Sequence, residues 1–212
     1  LEMLEFGDQI IKYTEQSGKD YWTGRGFAHT SVDINGQRGA IVKDLSVFED
    51  FKELKESFDV VYNAGTTEHV EPYDAQYTSF RIADHCCKTG GLMIHAVPCV
   101  NRLDKHNIFR EHCHYYYSDE FFQMLVKKCG YQLIGHGYTQ QNLLYYALRK
   151  THTSKFMDNQ LLFLSKIAVR HTDPRGALSL RISRLQDNNY MYQASKERLE
   201  AKRLKEQQNK LQ

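Results

Sequence analysis

The sequence predicts an α/β fold, a three-layer sandwich in which helices cover both faces of a mostly parallel sheet. The clearest observation lies in residues 58–98, where an apolar run stops at Asn63-Ala64-Gly65, a helix-like stretch follows, and a second apolar run comes after Gly90-Gly91. Two strands joined by a helix in this way are almost always parallel. Ligands of such sheets bind at the carboxyl ends of the strands, which places a candidate site at residues 63–69.

Three short strands are predicted before this unit, and each has an acidic residue near its end. The pairs of strand and acidic residue are 3–8 with Glu5, 29–34 with Asp33, and 40–45 with Asp44. Because the carboxyl ends of parallel strands share one edge of a sheet, the three acidic side chains together indicate more than any one of them does.

The connections between these strands are less regular. We expect a helix over residues 9–16 and another over residues 48–57. Residues 18–27 are rich in glycine and aromatic side chains, and we expect a surface connection in which Tyr21 and Trp22 pack onto the core.

The second half of the chain predicts one more helix and a final pair of strands. Ser118 caps a helix over residues 118–129, whose apolar positions recur at helical spacing, and Gly130 ends it. Residues 131–137 and 143–148 are the last two strands, paired with each other.

The end of the chain has a different composition. Residues 161–169 are an apolar helical stretch expected to pack on the sheet domain or on a partner, and a polar, solvated helix is expected from Leu178 onward. We therefore divide the chain into a domain, residues 1–151, and a helical C-terminal extension, residues 152–212.

Composition excludes several classes of protein. The 212 residues suffice for one core, and the formal net charge is +2. Nine of the basic and five of the acidic residues lie in 173–212, so the rest of the chain carries 19 basic and 21 acidic residues, which disfavours a nucleic-acid partner. Five cysteines without a Cys-x-x-Cys pair indicate a reduced, cytoplasmic setting. No stretch reaches the roughly 20 apolar residues of a membrane span.

The motifs of residues 58–98 resemble a known family. Glu68-His69-Val70 follows the fourth strand, and Lys88-Thr89-Gly90-Gly91 precedes the fifth, an order similar to the middle of class I S-adenosylmethionine-dependent methyltransferases. The resemblance covers residues 1–151 and implies a Rossmann-like methyltransferase fold that ends in a hairpin. It also implies methyl transfer with S-adenosyl-L-methionine as cofactor. A nicotinamide-dependent oxidoreductase would need a glycine fingerprint that this chain lacks.

The resemblance also implies which residues hold the cofactor. Glu5 and Gly7 resemble the first glycine motif, although Asp8, Gln9, Ile10 and Ile11 stand where further glycines are usual. Further candidates lie at the next three strand ends: Asp33 for the ribose hydroxyls, Asp44 for the adenine amino group, and the turn Asn63, Ala64, Gly65 and Thr66. Turn capping by Asp33 and helix capping by Asp44 remain alternatives.

The acceptor site is expected in the connection after the fifth strand, residues 99–117. This connection carries His106, His112 and His114, and we expect one of His69, His112 or His114 to be a general base. Histidines without a catalytic role, and a zinc site in the same connection, remain alternatives. The acceptor is expected to be a small molecule or a glycan, while a lipid precursor, a protein or an RNA end stays open, as does the oligomeric state.

Two further expectations concern residues 65–68. Thr66 or Thr67 is expected to cap the following helix, with Glu68 at its positive end. Some related enzymes hold a divalent ion with Glu-x-x-Glu-His, but Gly65 replaces the first glutamate, so no metal is expected. The missing glycines after Gly7 motivate one alternative function, a non-catalytic methyltransferase-like binding module.

Overall fold

A computed structural model describes residues 1–11, 13–100, 113–139 and 143–169. The described residues form a seven-stranded sheet with the order β3-β2-β1-β4-β5-β7-β6. Its strands are β1 (Glu2–Phe6), β2 (Ala28–Asp33), β3 (Ile41–Val42), β4 (Phe58–Ala64), β5 (Cys87–Pro98), β6 (Gln132–Tyr138) and β7 (Leu143–Arg149).

The direction of the strands confirms the predicted mostly parallel sheet. All neighbouring pairs among β1 to β5 are parallel, whereas β7 is antiparallel to both β5 and β6. The predicted final hairpin is therefore confirmed, and so is the parallel unit of β4, a helix and β5.

Burial along β1 shows that both faces of the sheet are covered. Met3, Leu4, Glu5 and Phe6 are consecutive and all buried. Because successive side chains of a strand point to opposite faces, this requires packing on both sides. The predicted three-layer α/β architecture agrees with this burial.

The helices of the described chain are α1 (Gly18–Thr23), α2 (Ala75–Cys86), α3 (Asp119–Cys129) and α4 (Gln160–Leu164). Helix α3 begins where predicted, because the Ser118 side chain accepts a hydrogen bond from the Phe121 amide at 3.2 Å. It ends at Gly130, whose left-handed φ of 70° allows its amide to bond the Val126 carbonyl.

Two predicted helices and one predicted surface connection differ from the structure. Residues 9–16 are not a helix: Ile10–Ile11 pairs antiparallel with Gln16–Ser17, in keeping with the strand preference of β-branched Ile. The connection after it contains α1, which was not predicted because the glycines in residues 18–27 are unfavourable inside a helix. Residues 48–57 form a 3₁₀ helix, Phe48–Leu54, instead of an α-helix.

The apolar stretch 161–169 is helical only in its first part. Helix α4 ends at Leu164, and Ala168–Val169 pairs antiparallel with Tyr115–Tyr116. Packing on the sheet domain is confirmed, since Phe163 and Ile167 are completely buried in its core. The boundary between domain and extension stays a prediction, because residues 170–212 lie outside the described residues.

Among the described residues, no helix combines the length and the apolar character that crossing a membrane requires.

Candidate functional site

A cavity of about 380 Å³ lies at the carboxyl ends of β2, β3 and β4. Its lining includes six residues that the sequence analysis selected: Asp33, Asp44, Gly65, Thr66, His69 and His114. Its remaining lining residues are Gln9, Val32, Ile34, Lys43, Leu45, Val70 and Glu71. The structure therefore brings together predicted donor residues and two of the three predicted base candidates.

Glu5 does not line this cavity. Its side chain is buried beneath α1, where Oε2 lies 3.0 Å from His29 Nε2, and a side chain on Gly18 would collide with the carboxyl group. Burial raises the pKa of Glu5, and the contact with His29 opposes that rise. Glu5 thus has a packing partner in the structure, and its role with a cofactor stays a prediction.

Gly7 lies beside the cavity and cannot be replaced without strain. Its φ is 90°, and a Cβ there would meet Thr66 Oγ1 and Gln9 Nε2 at 2.5 and 2.8 Å. Thr66 is held in this position because its hydroxyl donates to the Phe6 carbonyl at 2.7 Å. The glycine of the predicted first motif therefore allows the turn after β4 to pack closely on the end of β1.

Asp33 closes β2 with a turn of its own. Its Oδ1 accepts a hydrogen bond from the Asn35 amide at 2.8 Å, as the turn-capping alternative proposed. The turn is tied to the end of β1, because Arg38 Nη2 lies 2.9 Å from Asp8 Oδ1. Burial, with Asp8 nearby, raises the pKa of Asp33. One oxygen of Asp33 thus shapes the turn while the residue lines the cavity.

Asp44 follows β3 and is almost fully buried. Its Oδ1 accepts from the amide and the hydroxyl of Ser46, at 2.8 and 2.6 Å. Its Oδ2 is buried and has no hydrogen-bond partner. A buried carboxylate oxygen without a donor is costly, so this atom is suited to a ligand that brings an N–H or O–H group.

Asn63 is directed into the protein and does not line the cavity. Its Nδ2 donates to Thr67 Oγ1 at 2.8 Å and lies 3.1 Å from His95 Nδ1, while its Oδ1 accepts from the Thr67 amide. These bonds use both hydrogens of Nδ2 and one lone pair of Oδ1. Burial lowers the pKa of His95 to about 3, so that ring is a neutral acceptor. Ala64 also lies outside the cavity lining, and both residues remain only predicted as cofactor contacts.

The turn after β4 is a 3₁₀ helix, Thr67–His69, which helix α2 follows only at Ala75. The predicted helix cap at Thr66 or Thr67 is therefore wrong. The Thr66 hydroxyl donates to the carbonyl of Phe6 in β1, and the Thr67 hydroxyl and amide are hydrogen-bonded to the side chain of Asn63. Gln76 fastens this turn, because its Nε2 donates to the carbonyls of Thr67 and Val70, both at 2.7 Å.

Glu68 lies within this turn and is 1% exposed. Neither of its carboxyl oxygens has a hydrogen-bond partner. Burial raises the pKa of Glu68 to about 8. Burial therefore favours the neutral acid, and the side chain lies near Gly65, a residue of the cavity lining.

Glu71 was missed in the sequence, because no motif separates it from the acidic residues around it. In the structure its Oε1 lies 3.1 Å from His114 Nδ1, and its Oε2 accepts from the Tyr115 hydroxyl at 2.5 Å. Glu71 and His114 both line the cavity. Of the other base candidates, His69 is exposed at the cavity edge, and His112 lies outside the described residues.

Comparisons with known proteins identify the fold. No protein-family model matches the sequence, and no curated protein matches it. Solved structures do match. An S-adenosylmethionine-dependent methyltransferase from Methanosarcina mazei has 14% identity and a TM-score of 0.51, over 71% of this chain and 93% of that one. The chain has the class I methyltransferase fold.

Two more proteins share this methyltransferase fold with the chain. A methyltransferase from Archaeoglobus fulgidus has 13% identity and a TM-score of 0.52, over 66% of this chain and 64% of its own. The N-methyltransferase NodS from Bradyrhizobium japonicum, solved with S-adenosylhomocysteine, has 13% identity and a TM-score of 0.51, over 70% of this chain and 77% of its own. At such identities the likeness concerns the fold and not the reaction.

Proposed function

We propose that the protein is an S-adenosylmethionine-dependent methyltransferase acting on a small molecule or a glycan. One observation carries the proposal: a single cavity at the carboxyl edge of a methyltransferase-type sheet contains Asp33, Asp44 and the turn Gly65-Thr66. Ligands of open α/β sheets bind at this edge.

The residues present fit the donor. Asp33 would accept the ribose hydroxyls, and the unpartnered Oδ2 of Asp44 would accept the adenine amino group. Asp44 and Gly65 follow strands that are three positions apart in the sheet, a span of about 14 Å at the usual strand spacing. The cavity is thus suited to an elongated ligand that lies across the strand ends.

S-adenosylmethionine, when bound, supplies a methyl group on a positively charged sulfur. What remains for the chain is to align donor and acceptor, exclude water and accept a proton where the acceptor carries one. We assign alignment to the turn 63–66 and to the connection 99–117, and proton acceptance to His114 in preference to His69 and His112.

Calorimetry with S-adenosylhomocysteine tests the donor site. We expect one site per chain, and Asp33→Ala should weaken binding by about 1.5–3 kcal/mol, the usual worth of hydrogen bonds to a charged group. Asp59→Ala is the matched control, because Asp59 lies at the opposite end of β4 and pairs with Lys88. Unchanged affinity in folded Asp33→Ala would remove Asp33 from the donor site.

One observation favours the alternative of a non-catalytic binding module. The side chains of Thr66 and Gln9 lie over Gly7. Gln9 is one of the residues that stand where methyltransferases usually have further glycines. If they close that end of the cavity to the donor, no heat of binding will be detected with S-adenosylhomocysteine at millimolar concentration. That result would favour the binding module.

A further inference from the structure

Glu71, His114 and Tyr115 form a connected group at the cavity wall. Glu71 is 7% exposed, and Tyr115 is completely buried, whereas the His114 side chain is one-third exposed. Each oxygen of Glu71 has its own partner: Oε1 lies 3.1 Å from His114 Nδ1, and Oε2 accepts from the Tyr115 hydroxyl. A carboxylate held at both oxygens has a defined orientation, and so does the imidazole that it contacts.

The backbone supports the same arrangement. The His114 amide donates to the carbonyl of Glu68 at 3.1 Å, which ties the segment carrying His114 to the turn that follows β4. Tyr115 also belongs to the short strand Tyr115–Tyr116, paired with Ala168–Val169. The turn that carries Glu71 and the segment that carries His114 are therefore joined by a backbone hydrogen bond, independently of the contact between the two side chains.

The contact decides which ring nitrogen carries the proton. A carboxylate only accepts hydrogen bonds, so Nδ1 of His114 is the protonated nitrogen and the lone pair of the neutral ring is on Nε2. When Nε2 takes a proton, the adjacent Glu71 carboxylate stabilises the resulting imidazolium. The same logic applies to catalytic histidines that an acidic side chain orients.

We propose that Glu71 is the positioning residue of a general base, His114, and that the methyl acceptor is a hydroxyl or an amine that must lose a proton. This inference rests on the proposed function. The proton passes from the nucleophilic atom of the acceptor to His114 Nε2. The electron pair of that atom forms the new bond to the methyl carbon, and the pair of the broken carbon–sulfur bond stays on sulfur.

The charges of the cavity support this class of acceptor. Among the described lining residues, carboxyl groups are supplied by Asp33, Asp44 and Glu71. The lysine of the lining, Lys43, has its ammonium 2.6 Å from Glu53 Oε1, so its charge is already paired. The charges of these described lining residues favour a neutral hydroxyl or amine over an anionic acceptor such as a phosphate or a carboxylate.

Nitrogen-15 NMR of the histidine rings tests the arrangement without any acceptor. In the wild-type protein the neutral His114 ring should carry its proton on Nδ1. In Glu71→Gln the new amide can donate to Nδ1, so the ring proton should move to Nε2. In that tautomer Nε2 cannot accept a proton from the methyl acceptor. Glu71→Asp, which keeps the carboxylate, should keep the wild-type tautomer. His114→Asn assigns the signal, and His136, near Asp119, should keep its signal in every variant.

A wild-type His114 protonated on Nε2, or a tautomer unchanged in Glu71→Gln, would overturn the proposal. Binding of S-adenosylhomocysteine to the same samples separates the two claims. If the predicted tautomers are observed but S-adenosylhomocysteine does not bind, the proposed function is contradicted, whereas the contact between Glu71 and His114 is supported.

The acceptor class is tested with S-adenosylmethionine labelled in its methyl group and a small-molecule extract. Methyl ethers and methylamines survive mild alkali, whereas methyl esters release methanol. Label that remains after alkali treatment, and falls at least about 10²-fold in Glu71→Gln, agrees with the proposal. Label released as methanol would overturn the hydroxyl or amine assignment.

Discussion

The two ends of the cavity bury carboxyl groups in different ways. At the ends of β2 and β3, Asp33 and Asp44 each hold one oxygen in a local turn, and Asp44 keeps the other oxygen without a partner. After β4, Glu71 has partners at both oxygens, whereas Glu68, three residues before it, has none at either. Burial without a donor raises the pKa of Glu68, whereas Glu71 is oriented by a partner at each oxygen, so the two glutamates lie in opposite environments.

The largest expected effect concerns Glu68. Its pKa in the folded protein, about 8, is above the ordinary value of 4.5 for a glutamate, so the stability it contributes is complete below about pH 4.5 and is lost as pH rises toward 8. Within that window the free energy of unfolding should fall by up to about 1.4 kcal/mol per pH unit. Glu68→Met should abolish this slope and raise stability at pH 8, as measured by urea denaturation. An equal slope in both proteins would show that Glu68 is not buried as a neutral acid.

The same substitution at Glu71 should have the opposite sign and a smaller size. Glu71→Met removes the acceptor of the buried Tyr115 hydroxyl and the partner of His114 Nδ1, and the loss of a hydrogen bond from a buried donor costs about 1–3 kcal/mol. Urea denaturation at pH 7 should therefore show a loss of stability. A stabilised Glu71→Met protein would remove the distinction between the two glutamates.

Much of this architecture could be predicted because it depends on local signals. Apolar strands, the Ser118 cap and Gly130 indicate β4, β5 and α3 by themselves, and the acidic residues after β2 and β3 reach the cavity as expected. The helix prediction for residues 9–16 was wrong because a short polar stretch with two isoleucines fits the pattern of a helix and that of a hairpin almost equally well.

The partners of side chains could not be predicted in the same way. Asn63 and Thr66 were selected at the correct strand end, but which of them enters the cavity depends on Phe6 and His95, which are distant in sequence. The Glu71–His114 contact likewise joins residues from two connections, and no spacing along the chain indicates it. These contacts depend on packing between residues that are distant in sequence, and the pattern of a single sequence does not predict which distant residues meet.

A crystal structure with S-adenosylhomocysteine would test the central claim most directly, namely that the donor lies across the strand ends with its adenosine at β2 and β3. The account predicts the ribose hydroxyls within hydrogen-bond distance of Asp33, the adenine amino group at Asp44 Oδ2, and the sulfur on the side of Gly65 and His114. Adenosine bound against Glu71 and His114, or a ligand outside the cavity, would contradict it.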